Sequence, residues 1–442
     1  MKVLLVNPPV DYPVPAQWRT ESLGLGYITS VLRADGIEVE ILDAHLQCLS
    51  PKETASAILD VAFDCLGLTA SQAHKSVVKQ LVPAVRRKRK DAVIAMGGYL
   101  PTLTAGYLLA ELPELDFIAR GEGEVVAADV FGKIARGEDW HDCPGIGYLD
   151  DGKSIMNPLP PPVSDLDSLA FPARDAFAQA KVPVTAGIAT SRGCYHSCSF
   201  CCVNSFYALA GMRGQRVRSP ENVLEEMERV IADHGVKNFR FVDDDFLGPG
   251  EKTQARVRRI AEEIIKRNLG VNFTIECRAD EVSEDIIKLL KEAGLTVVFL
   301  GIESGVQRQL DTFNKHMTVE QNKQAIEMIR RCDVKLRCGY IMFDPYLTIS
   351  ELMESVQFCN ETGLIEESKQ FGVPFIGKLA LHRGVPLVEK LKEDGLLIEK
   401  GAEVDYRFKH RSTALVWSSL RAMGGVTDAI RRATGRKKQP SD

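Results

Sequence analysis

The chain has 442 residues, enough for two or three domains at about 150 residues each, which excludes a lone peptide or a single binding motif. Hydrophobic residues make up 45% and charged residues 26%, and 55 basic against 60 acidic side chains leave a formal charge of −5. That ordinary globular balance excludes disorder as the main state and gives no basic field for gathering nucleic acid. No apolar run approaches the roughly 18 residues needed to cross a bilayer, and the opening Met1-Lys2-Val3-Leu4-Leu5-Val6-Asn7-Pro8-Pro9 is too short an apolar stretch for a signal peptide. A cytoplasmic protein without membrane contact is expected. The one basic cluster, Arg431 to Lys438, reads as a solvated tail.

In chain order, the first stretch alternates β-branched runs with helical patterns. Strands are expected over Lys2 to Asn7, Glu38 to Asp43, Asp64 to Thr69 and Val93 to Met96, and helices over Leu25 to Asp35 and Lys75 to Arg89. The alternation predicts an α/β domain over residues 1–144, a Rossmann-like parallel sheet covered by helices. Its strand ends carry Asn7-Pro8-Pro9, Gly67-Leu68-Thr69, Gly97-Gly98-Tyr99 and Gly121-Glu122-Gly123-Glu124, where glycines either admit a flat ligand or simply make tight turns. Residues 145–182 are rich in proline and read as an extended linker.

A second series follows over residues 183–385, with strands expected near Val184 to Thr190, Asn238 to Val242, Val271 to Cys277, Thr296 to Gly301, Lys335 to Met342 and Gln370 to Phe375. Helix starts are marked by Ser219 before Pro220 and by the capping box Thr318 to Gln321. Six strands with intervening helices predict a partial (βα)6 barrel. Residues 386–442 form a short, charged, helical appendage.

Eleven cysteines, an odd number spread over a large chain, suit reduced thiols or metal ligands better than a disulfide framework. Cys48, Cys65, Cys143, Cys202, Cys277, Cys332, Cys338 and Cys359 read as small hydrophobes. Cys194, Cys198 and Cys201, spaced x3 and x2 after a barrel strand, can wrap three thiolates around an iron–sulfur cluster and leave one iron open. A zinc site completed by His196 or Cys202, or three incidental thiols, are the alternatives.

This CxxxCxxC loop resembles that of the radical SAM superfamily, over about Val184 to Leu381. The resemblance implies a [4Fe-4S] cluster on the three cysteines, S-adenosylmethionine on its open iron, Phe200 near the adenine and an external electron donor of the flavodoxin or ferredoxin type. Asp243-Asp244-Asp245 stands where the family often has Gly-Gly-Glu, and Gly301-Ile302-Glu303-Ser304-Gly305 matches a common family pattern. Glu276, Arg278 and Glu303 are then the expected S-adenosylmethionine contacts, a carboxylate for the ammonium and an arginine fork for the carboxylate. The amino-terminal half, with its Asn-Pro-Pro, Gly97-Gly98 and Arg120-Gly121-Glu122-Gly123-Glu124 motifs, resembles the cobalamin-binding subgroup. Cobalamin is an optional cofactor on this reading, because Asp43-Ala44-His45-Leu46-Gln47-Cys48 has Cys where a cobalt-ligating loop has Gly.

Three activities compete. Strand ends bearing Asp243, Asp244, Asp245, Glu276, Glu303 and Asp344, with Arg278 as the only obvious counter-charge, suggest an acidic mouth for an ammonium-bearing small molecule. That favours a dehydratase similar to the aminoglycoside-type radical SAM diol dehydratases, with the Asp243 to Asp245 carboxylates moving protons and an NAD(P)H-dependent reductase acting on the product. The alternative is a cobalamin-dependent radical C-methyltransferase. A corrinoid or redox-sensing binding protein is the third reading.

Overall fold

A computed structural model of the protein describes residues 1–12, 14, 19–371 and 377–433. The first sheet is built on β1 (Lys2–Asn7), whose Val-Leu-Leu-Val-Asn run is buried throughout, and on β2 (Glu38–Asp43), β3 (Cys65–Thr69), β4 (Val93–Gly97) and β5 (Phe117–Ala119). These five run parallel in the order β2-β1-β3-β4-β5. A central strand buried on both faces needs this continuous apolar sequence, and helices cover both sides. The chain turns outward in opposite directions from β1 and β3, so a crevice opens beyond their carboxyl ends.

The sheet extends further than residue 144. β6 (Ile146–Asp150) and β7 (Lys153–Met156) form an antiparallel hairpin that adds to β5. Its turn residues Asp151 and Gly152 both have positive φ, 45° and 74°, so this part of the expected linker belongs to the first domain. The rest of the linker packs on the helix Leu23–Ala34: Ala173 N–H donates to the Gly26 carbonyl at 3.1 Å, and Ser30 Oγ donates to the Phe171 carbonyl at 2.7 Å.

The second sheet contains β8 (Ala186–Ile188), β11 (Asn238–Phe241), β12 (Asn272–Arg278), β13 (Leu295–Glu303) and β14 (Lys335–Tyr340), all parallel and in that spatial order. Between β8 and β11 the chain makes a small antiparallel pair, β9 (Ser191–Cys194) with β10 (Gly214–Val217). Ser219 caps the helix Pro220–His234 through the Asn222 N–H, and the Thr318–Gln321 capping box is complete. The expected sixth strand is not a strand at its start: Gln370 and Phe371 end the helix Leu364–Phe371, and the remainder of that segment lies outside the described residues. A single parallel bridge, Phe343 with Lys378, stands beyond β14.

Alternation along the barrel strands decides what faces the lumen. Phe239, Phe241, Phe273, Ile275, Val298, Leu300 and Ile302 are buried against the surrounding helices, so Arg240, Asp244, Glu276, Phe299, Gly301 and Glu303 take the opposite face. The carboxyl-terminal part is more than a helical appendage. After the helix Pro386–Glu393, a hairpin of Leu397–Lys400 and Glu403–Tyr406 reaches back to the first domain, where Glu403 pairs with Lys75 at 2.8 Å and Lys79 at 3.2 Å. The basic stretch beyond Ala433 lies outside the described residues.

Candidate functional site

The three cysteines of the spaced motif sit on one loop held from several sides. Gly193, with φ 86°, lets β9 approach β10 so closely that a Cβ there would lie 2.4 Å from the Gly214 carbonyl oxygen. The loop that follows is fixed by Ser199 N–H to the Phe313 carbonyl at 2.9 Å, Ser199 Oγ to Thr312 at 2.7 Å and Asn314 Nδ2 to Ser197 at 2.8 Å. All three thiols are half-buried, and burial pushes Cys194 up to about 12 and Cys201 higher still. Burial also raises Cys198, against the opposing charges of Lys315 and Arg278.

His196 does not complete a zinc site with these thiols. Its Nε2 lies 2.7 Å from Glu281 and 3.5 Å from Asp245, both buried, and these two carboxylates outweigh desolvation to raise the imidazole to about 9. The ring thus ties the thiol loop to the ends of β11 and β12. Cys202 packs against the apolar cluster of Phe313, Leu379 and Leu381, and Phe200 stands edge-on to Phe313 with ring centroids 5.1 Å apart.

The charged residues of the barrel mouth separate into two groups. Asp243 lies on the outer face of its strand, fully buried, and accepts from Thr190 Oγ1 at 2.7 Å, from Thr190 N–H and from Ser191 Oγ. Both oxygens are occupied by the fold's own donors, so the structure gives it no open face for moving substrate protons. Asp344, also buried, is held by Arg308 at 3.0 Å and by Gln309 at 2.6 Å, and is a core ion pair. Asp245 belongs to the His196 and Glu281 cluster.

The sequence suggests that Arg278 forks onto a ligand carboxylate, but in the structure the fork is taken by the protein itself. Arg278 Nε and one terminal nitrogen hold Asp280 at 2.9 and 3.0 Å, and that terminal nitrogen also donates to the Lys315 carbonyl. The other terminal nitrogen points at Cys198 Sγ, 3.7 Å away.

Asp244, Glu276 and Glu303 do face the open side. Burial raises Asp244 to about 7, reinforced by Glu276 and Asp243, although the residue keeps an exposed edge on the cavity described below. Glu276 is raised to about 7 by the same cause against the attraction of Arg240, whose guanidinium lies 4.0 Å away. Glu303 adopts φ 61°, a strained choice for a residue with a side chain, which places its Oε1 3.6 Å from Lys315 Nζ. Gly301 and Gly339 flank it, and a Cβ on either would come within 3.2 to 3.4 Å of its oxygens.

Arg240 lies 4.0 Å from Glu276 and Lys315 lies 3.6 Å from Glu303, and Arg337 also feels Glu276, so the mouth holds cations besides Arg278, while the leading charges acting on Asp244 are those of neighbouring carboxylates. Strand alternation could have found Arg240 and Arg337. Lys315 comes from a loop after the helix Gln307–Thr312 and carried no local signal.

A cavity of about 370 Å³ lies between the crevice of the first sheet and the barrel mouth. Its inner walls are apolar, from Leu5, Ile28, Ala95, Phe117, Val126 and Phe131, and its outer rim carries Gly98, Tyr99, Ser191, Arg192, Tyr207 and Asp244. Gly98 has φ 110°, and a Cβ there would stand 2.6 Å from the Ala70 carbonyl oxygen, so the turn after β4 needs glycine. His45 follows the edge strand β2 and does not line this cavity. Burial and the Arg19 charge lower its imidazole to about 4, and the neighbouring Asp43 is spent accepting from Asn7 and the Leu46 N–H. The histidine thus takes no part in the cavity.

The donor sets fit the implied groups. Three thiols without a protein fourth ligand suit a cluster with an open iron, and the lumen's paired charges, Glu303 with Lys315 and Glu276 with Arg240, suit a zwitterion. The apolar recess suits a flat heteroaromatic portion of a corrinoid, entering over Gly97 and Gly98.

Residues 188–359 match the family model of the radical SAM superfamily, and residues 16–131 match that of the B12 binding domain. The chain is 26% identical over 383 residues to an uncharacterized methyltransferase of Pyrococcus horikoshii, covering 85% of this chain and 82% of that one. It is 32% identical over 352 residues to the anaerobic magnesium-protoporphyrin IX monomethyl ester cyclase of Rubrivivax gelatinosus, covering 76% of this chain and 61% of the cyclase. In fold it is similar to the cobalamin-dependent S-adenosylmethionine radical enzyme OxsB, solved with aqua-cobalamin and S-adenosylmethionine bound. That likeness has a TM-score of 0.76 at 21% identity and covers 95% of this chain and 66% of the other. The chain belongs to the radical SAM superfamily and carries a B12-binding domain ahead of its radical SAM domain; the latter implies a [4Fe-4S] cluster and S-adenosylmethionine, and the former implies cobalamin.

Proposed function

We propose that the protein is a cobalamin-dependent radical SAM methyltransferase acting on a carbon atom of a small molecule, with electrons from an external donor of the flavodoxin or ferredoxin type. The observation that carries this reading is the single cavity lined both by the strand ends of the B12-binding domain and by the barrel residues Ser191, Arg192, Val242 and Asp244. A substrate at the outer rim of that cavity, beside Ser191, Arg192 and Asp244 and above the recess assigned to the corrinoid, faces both domains at once, which methyl transfer needs and dehydration does not. The methyltransferase of P. horikoshii, similar over most of both chains, supports the same choice. The dehydratase reading rests on an acidic mouth, and two of its carboxylates, Glu276 and Glu303, each have a cation nearby, Arg240 and Lys315.

When bound, the cluster and S-adenosylmethionine supply one-electron cleavage chemistry, and cobalamin supplies a transferable methyl group. The chain's own part is positional. Cys194, Cys198 and Cys201 hold the cluster, Phe200 flanks it, and Glu303 with Lys315 and Glu276 with Arg240 offer paired charges to the amino-acid end of S-adenosylmethionine. Asp244, raised to about 7, stands on the rim between lumen and cavity, where it can accept a substrate hydrogen bond or a proton near neutral pH.

The test is substrate-free. Anaerobic protein reconstituted with iron and sulfide is incubated with S-adenosylmethionine and a low-potential reductant, with and without cobalamin. S-adenosylhomocysteine formed only when cobalamin is present supports the reading. Its absence under both conditions contradicts it.

A further inference from the structure

Arg278 is a buried cation, 6% exposed, at the end of β12, and each part of its planar fork is directed. Asp280 takes Nε and one terminal nitrogen in a two-pronged pair, and the Lys315 carbonyl accepts from that same terminal nitrogen. This clamp leaves the second terminal nitrogen aimed at Cys198 Sγ at 3.7 Å, within hydrogen-bonding range of sulfur. Arginine's rigid geometry means that anchoring one edge fixes the direction of the other.

We propose that Arg278 is a positioning residue that tunes the reduction potential of the cluster by donating an N–H to the Cys198 thiolate. The inference rests on the reading that Cys198 is a cluster ligand. Reduction of the cluster adds one electron from the external donor and breaks no bond. Hydrogen bonds and positive charge at a ligating sulfur favour the more negative, reduced state and so raise the potential. Lys315, whose carbonyl helps hold the fork and whose ammonium pairs with Glu303, extends the positive side of the same wall.

The experiment is an EPR-monitored redox titration of reconstituted full-length protein, wild type against Arg278→Gln and Arg278→Lys, with S-adenosylmethionine affinity measured in parallel. In Arg278→Gln the ratio of reduced to oxidised cluster at fixed potential is expected to fall about tenfold, which is about 59 mV for a one-electron couple. Arg278→Lys, which keeps the charge, falls less. Affinity for S-adenosylmethionine changes by less than about threefold in both. An unchanged midpoint in a glutamine variant with full iron content overturns the proposal, as does a large loss of S-adenosylmethionine affinity at an unchanged midpoint.

Should the variants fail to hold iron, the wild type decides. Protein carrying ¹⁵N-guanidino arginine should show a nitrogen coupling to the reduced cluster by electron spin-echo modulation, and its absence overturns the assignment. A Cys198→Ala variant that kept the wild-type signal and potential would remove the thiolate from the cluster and overturn the proposal with it. Four irons per chain in a Cys194, Cys198, Cys201 triple alanine variant would instead show that the ligand reading itself has failed.

Discussion

Asp244 carries its carboxyl into the cleft, while its neighbour Asp243 turns toward the core and is held by Thr190 and Ser191. A carboxyl whose folded-state value is raised to about 7 contributes stability that is fully present below its ordinary range near 3.8 and is lost as pH rises through about 7. Asp244→Asn should therefore be more stable than wild type at pH 8, by about 1 kcal/mol or less once screening by cleft water is allowed for. The difference should vanish toward pH 4, and thermal melts across that range measure it. Asp243→Asn should behave differently, weakening the buried contacts that Thr190 and Ser191 make to both carboxylate oxygens. Among the thiols, Cys202→Ala should retain the iron content and absorbance of wild type, because Cys202 packs in the apolar cluster beside Phe313. Loss of iron on that substitution alone would show that the ligand set is wrong.

The turn from β4 into the helix Tyr99–Glu111 is the element on which the cavity depends most. Gly98→Ala meets both a positive φ and the Ala70 carbonyl, at a cost of roughly 1–3 kcal/mol in local strain, and should weaken cobalamin retention measured by absorbance after gel filtration. Unaltered retention would mean that the crevice is not the corrinoid's entrance. The strands of the first sheet were legible as short, continuous apolar runs such as Val3 to Val6, and those of the second through period-two runs such as Asn238 to Phe241 and Asn272 to Arg278 that keep one face apolar. The β6 and β7 hairpin was readable too, through the Asp151-Gly152 pair that sets a tight turn, but the surrounding prolines suggested a linker instead. At the site, the sequence pattern already put Cys194, Cys198 and Cys201 together after one strand and Glu303 at the end of another. The fate of Arg278 was not, since its partners Asp280, Lys315 and Cys198 meet only after three separate strand ends converge. The balance of lumen charge failed for the same reason: Lys315 arrives from a distant loop.

Across the whole molecule, the two domains are joined by buried ion pairs rather than by a loose linker. Arg192, on the strand leading to Cys194, pairs with Glu122 at 3.1 Å and Glu124 at 2.6 Å, and Glu122 also holds Arg216 at 2.6 Å. Arg174 of the linker bridges Glu21 of the first domain and Glu226 of the barrel. Removing one partner leaves buried charge uncompensated, so Arg192→Ala should cost about 3–5 kcal/mol and split a single thermal transition into two in calorimetry. A single transition at the wild-type temperature would show that the pairs do not couple the domains. Among the described residues no helix is long and apolar enough to cross a membrane. If both cofactors meet at the chamber between the two domains, EPR of protein loaded with cob(II)alamin and a reduced cluster should show one cobalamin and one cluster per chain, with the cobalt signal broadened by the nearby cluster spin. Two unperturbed signals that simply add would mean that the cofactors do not share it.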